Sequence, residues 1–141
     1  MFQTVVVGTD GSPTAGEAFA RALELVRGTG GTLHVVSAYK HSATSTGGVP
    51  DEFIDGVDPA SRAASVLDDV ASRARAVGVT AVTHVLKEDP ADGLCAVAEK
   101  EGADLIVVGN KGMKGVRRVL GSVPNDVAHR APCSVLIVQT T

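Results

Sequence analysis

Valine and isoleucine gather in short runs along this chain, and the longer stretches between them repeat apolar residues every three or four positions. The first run, "TVVVG", is β-branched and of strand length. "SPTAGEAFARALELVRG" follows, with Ala15, Ala18, Phe19, Ala22, Leu25 and Val26 at helical spacing. Ser12 fits an N-cap, Pro13 the first helical position and Gly28 the stop. "TLHVVSAY" predicts a second strand, "SRAASVLDDVASRARAVG" a second helix and "AVTHVL" a third strand. Asp89 and Pro90 open a third helix by the same cap-plus-proline device, and Gly102 closes it. "ADLIVVGN" is a fourth strand, a helix starts near Val123 and Pro124, and "CSVLIVQ" is a fifth strand.

Strands that are apolar along their whole length, alternating with helices, predict a parallel sheet covered on both faces. The fold class is therefore α/β: a five-stranded parallel sheet with helices on both sides, a three-layer sandwich with right-handed crossovers. Residues 1–141 read as a single domain. The segment "KHSATSTGGVPDEFIDGVDP" has no period and is rich in Gly, Ser, Thr and Pro, so a mobile loop is expected at about 40–58.

Composition narrows the function. The 141 residues are 44% hydrophobic and carry a net charge of −3, against the broad basic signature of a nucleic-acid binder. With no Trp, three Phe and one Tyr, stacking platforms for bases are not expected either. No apolar run approaches the roughly 20 residues of a membrane span. Two cysteines far apart, Cys95 and Cys133, argue against a disulfide framework, and the reading is a cytoplasmic protein. His34, His41, His84 and His129 show no metal-ligand spacing, so no protein-held metal is expected. His34 reads as a packed strand residue and Cys95 as core.

The chemistry lies at two strand ends, where open parallel sheets bind their ligands. The first strand runs into "GTDGS", the fourth into "GNKGMKGVRRVLGSV". Glycines there admit a ligand close to the backbone and offer N–H groups unobstructed by side chains. A helix starting after Gly121 and Ser122 directs its free N–H groups at an anion. Lys111, Lys114, Arg117 and Arg118 raise the local potential, and a phosphate is the natural guest. GxxxxGK[ST] is absent, which excludes a P-loop. Gly109, Gly112 and Gly115 make GxxGxxG after the fourth strand, so the dinucleotide fingerprint fails in spacing and place.

These residues resemble the universal stress protein family over the full chain. The signature there is Gly109-Asn-Lys-Gly112, eight residues, then Gly121-Ser122-Val123; Asp10 closes the first strand, and "NDVAHRAPCSVLIV" matches the family's last helix and strand. The resemblance implies a Rossmann-like fold of the adenine nucleotide alpha hydrolase-like type that binds ATP, with cyclic AMP as the alternative. It implies that Asp10 bonds the ribose, that Gly8 and Thr9 line the adenine side, and that Ser37 touches the base through backbone atoms. Gly109, Gly112, Gly121, Ser122 and Val123 would cradle the phosphates, with Mg2+ held through those phosphates only. It further implies a homodimer through the last strand, 133–139. The spacer has eight residues where nine are usual, and Glu88 stands where the family often has glycine.

No general base accompanies the glycine loop, so no catalytic residue is named and slow ATP hydrolysis is the most that is expected. The leading reading is a stress-response nucleotide sensor or signalling module. The alternatives are an interaction protein of the same fold that binds no nucleotide, and an ATP-using enzyme, which would need a second substrate pocket.

Overall fold

A computed structural model describes residues 2–39, 58–110 and 122–140. The expected loop at about 40–58 falls outside the described residues except at Asp58; Gly112, Gly121 and the four basic residues of the glycine stretch fall outside entirely. The described elements alternate as β1 (Thr4–Gly8), α1 (Pro13–Thr29), β2 (Thr32–Ala38), α2 (Pro59–Ala76), β3 (Thr80–Leu86), α3 (Pro90–Glu101), β4 (Leu105–Gly109), α4 (Val123–Arg130) and β5 (Ser134–Val138). All strand pairs are parallel, in the order β3-β2-β1-β4-β5.

The two-residue period of a strand sends alternate side chains into two separate cores. Val5, Val7, Leu33, Val35, Leu105 and Val107 pack with Phe19 and Val26 of α1 and Leu67 and Val70 of α2. Val6, Val36, Ile106 and Val108 pack on the other face with Leu94 and Val97 of α3 and Val127 of α4. Both faces of β1 and β4 are therefore sealed, which explains why "TVVVG" and "LIVVG" carry no polar alternation.

Three expectations need correction. α1 runs past Gly28 to Thr29, and the left-handed cap is Gly30, at φ 72°. A helix stop of this kind needs a left-handed residue just beyond the last turn, and Gly28 lies inside it. α2 starts at Pro59, not Ser61: Asp58 accepts a bond from the Ser61 N–H at 2.8 Å and caps the helix. This is the Asp-Pro device of α3, hidden at the end of a polar stretch. Cys95 is half-buried rather than core, because α3 turns Ala91, Leu94, Val97 and Ala98 to the sheet. It lies one turn beyond Asp92, which pairs with Arg130 of α4, and burial pushes its thiol pKa up.

Candidate functional site

Parallel strands point their carboxyl ends the same way, and every following helix begins at that end. From β1 the sheet grows through β2 to β3 on one side and through β4 to β5 on the other. α1 leaves β1 for one face, and α4 lies on the opposite face beyond β4. A crevice has to open between strands whose connections part in this way. The structure holds a cavity there of about 230 Å³, below the roughly 300–1,000 Å³ of a drug-sized ligand site.

Its floor is the ends of β1 and β4, Gly8 and Gly109, with Val36, Ala38 and Val108 beside them. Asp10, Ser12, Thr14 and Ala15 wall it from the start of α1, Pro90 and Leu94 from α3, and Val123 and Pro124 from α4. Three helix N-termini thus face one space and place their positive dipole ends around it. Both glycines stand where a side chain would be tight. A Cβ on Gly8 would stand 3.3 Å from Leu94 Cδ2, and one on Gly109 3.3 Å from Thr140 Cγ2.

The turn after β1 is held by its own side chains. The Thr9 N–H donates to the Val36 carbonyl at 2.9 Å, and Thr9 Oγ1 accepts from the Gly11 N–H at 3.1 Å. Gly11 takes φ 82°, which glycine adopts without strain. Asp10 Oδ1 accepts from the Ser12 N–H at 2.9 Å. Ser12 Oγ accepts from the Ala15 N–H at 3.2 Å and caps α1. Asp10 therefore serves the turn while it lines the cavity; the two roles coexist.

Ser122 is buried, 6% exposed, and caps α4 by accepting from the Asn125 N–H at 3.3 Å. Val123 follows it onto the cavity wall. Ser37 is buried and does not line the cavity; Val36 and Ala38 do, because alternate strand residues face opposite ways. Only its backbone is compatible with the contact expected of it. Glu88 is half-buried and also absent from the lining, with its Cγ 3.6 Å from a Cβ built on Gly93. Gly8, Thr9, Asp10, Gly109 and Val123 are thus brought together. Thr14 and Leu94 were not singled out in the sequence, and Pro90 and Pro124 were read only as helix starts. Their one signal is position, since each sits in the first two turns of a helix that follows a strand. Among the described residues no group of three His, Cys, Asp or Glu could hold a metal, and no helix is long and apolar enough to cross a membrane.

Residues 1–139 match the universal stress protein family. Universal stress protein Rv1636 of Mycobacterium tuberculosis is 37% identical over 99% of this chain and 98% of its own. A universal stress protein crystallised in complex with cAMP superposes with a TM-score of 0.77 at 34% identity, covering 99% of this chain and 98% of that one. The universal stress protein of Archaeoglobus fulgidus in complex with dAMP gives 0.70 at 26% identity, covering 97% and 98%. The match spans every strand and helix that builds the cavity, and the chain belongs to the universal stress protein family.

Proposed function

We propose that this chain binds an adenine nucleotide, ATP in the first place, in the cavity at the ends of β1 and β4, and that it acts as a stress-response sensor or signalling module. The observation that carries this is the cavity itself. It lies where strand order reverses, with glycine at both strand ends and three helix N-termini around it. Asp10 bonds the ribose, Gly8 and Thr9 take the adenine side, and the Ser37 backbone meets the base. Gly109, Gly112, Gly121, Ser122 and Val123 take the phosphates, and Mg2+ enters with the nucleotide. Cyclic AMP is the second reading, favoured by the complex of a neighbour 34% identical to this chain.

Assembly and location belong to the same proposal. β5 ends the sheet with Leu136 39% exposed, and a second copy pairing there gives a homodimer. Free thiols at Cys95 and Cys133 fit a reducing cytoplasm.

Calorimetric titration with Mg-ATP, and with cyclic AMP in parallel, tests the binding. Heat is expected with one or both, and the tighter ligand decides between the readings. The Gly109→Val/Gly112→Val protein, shown folded by circular dichroism, should lose at least tenfold in affinity. No heat from either nucleotide at millimolar concentration, with the wild type folded, ends the sensor reading.

A further inference from the structure

β4 and β5 pair in register as far as Gly109 and Val138. Asn110 extends the pairing. Its N–H donates to the Val138 carbonyl at 2.9 Å. Its Oδ1 accepts twice from Thr140, from the backbone N–H at 2.9 Å and from the hydroxyl at 3.0 Å. A side-chain amide oxygen here takes the place of a strand carbonyl. The Thr140 methyl also lies against Gly109, 3.3 Å from where a Cβ would be. The Thr14 carbonyl of α1 is 3.8 Å from the same point. Gly109 thus lies close to both the first turn of α1 and the segment that follows β5. Asn110 follows Gly109 directly, at the end of β4.

We propose that Asn110 and Thr140 are positioning residues for the nucleotide site, so that the segment after β5 forms part of its frame and tightens when ligand binds. The inference rests on the nucleotide reading above. Its logic is preorganisation: Gly109 is part of the cavity floor, and a floor already held in one place costs less to order when ligand binds. The amide oxygen of Asn110, bonded twice by Thr140, keeps the Thr140 methyl against Gly109, and neither side chain lines the cavity. By linkage, a ligand that needs this arrangement must also stabilise it.

The test compares wild type with Thr140→Val, which keeps the methyl against Gly109 and loses the hydroxyl. Asn110→Ala removes the acceptor, and Thr140→Ser restores the hydroxyl. Titration with Mg-ATP and with cyclic AMP should show Thr140→Val and Asn110→Ala weakened about 3- to 10-fold, the scale of one or two net hydrogen bonds. Thr140→Ser should bind close to wild type. In wild type, saturating nucleotide should slow hydrogen exchange at the Thr140 amide, and Asn110→Ala should abolish that slowing. Nucleotide binding by wild type with unchanged affinity in Thr140→Val and Asn110→Ala, and no ligand effect on Thr140 exchange, overturns the positioning role alone. So does a fall in unfolding midpoint without a fall in affinity. A wild type that binds neither nucleotide brings down both readings together.

Discussion

At the scale of single residues, Gly28 and Gly31 stand three positions apart and make opposite demands. A Cβ on Gly28 meets nothing within 4 Å, and Gly28 lies inside α1, where glycine costs about 0.5–1 kcal/mol relative to alanine. A Cβ on Gly31 would fall 2.0 Å from the Gln3 carbonyl oxygen, the atom that accepts the Thr32 N–H at 2.8 Å. Gly28→Ala should therefore raise the free energy of unfolding in urea by about 0.5–1 kcal/mol. Gly31→Ala should lower it by about 1–3 kcal/mol, the usual penalty of overpacking. Equal effects from the two changes would refute the close approach of β1 to Gly31. The sequence names Gly28 as special and passes over Gly31, because the neighbour that matters lies 28 residues away. The same limit governs the site. Gly8, Asp10 and Gly109 are legible because turn-forming residues interrupt β-branched runs. Pro90 reads only as a helix start and Leu94 as an ordinary helix residue until folding brings α3 beside β1.

At the scale of elements, the cap-plus-proline start was legible at Ser12 and Asp89 and missed at Asp58, where a polar stretch without period runs into it. Ser12, Asp58 and Asp89 each accept a backbone N–H of their helix, with Pro directly after. Strand register is not legible in this way, and it produces the contact between His34 and His84. β2 and β3 align Val36 with His84 and His34 with Val82, so the two histidines lie on a diagonal of one face. His34 Nδ1 and His84 Nε2 are 2.9 Å apart, with ring centroids at 5.2 Å, so the nitrogens point at each other across one shared proton. Burial is the first cause that lowers the pKa of both rings. The two rings also repel as cations, Lys100 lowers His84 further, and Glu101 pulls both back up. A depressed histidine pKa means that the unfolded chain binds protons first. Stability is then complete above the ordinary imidazole value of about 6.5, and it falls as pH drops below that value through the folded pKa values. NMR titration of the ring C–H signals should place both midpoints below about 6.5. Urea unfolding should lose stability as pH falls below about 6.5, and less of it in His34→Leu/His84→Thr. Either ring titrating at or above the ordinary value would contradict the burial argument.

At the scale of the whole molecule, the sheet has two edges, and each carries exposed apolar side chains. β3 lies against α2 through Ala81, with Val79 in the same core, and leaves Val82 and Val85 38% and 40% exposed. β5 carries Val135 and Ile137 half-buried on the α4 face, while Leu136, between them, is 39% exposed on the other. Apolar residues on an edge strand invite another strand, and natural edges are commonly guarded by a charge. Nothing in "SVLIV" supplies one. The apolar run and its place at the end of the chain order were readable from the sequence; the outward turn of Leu136 depends on which face α1 and α4 cover. If β5 is the seam between two copies, Leu136→Lys puts a charge into it and should give a monomer. Light scattering after size exclusion should then find wild type at twice the chain mass and the variant at one. Nucleotide affinity should survive the change, because Leu136 is outside the cavity lining and the Asn110–Thr140 contact lies beyond it. A wild type that is monomeric at about 100 µM, or a variant that still dimerises, would move the interface off this strand.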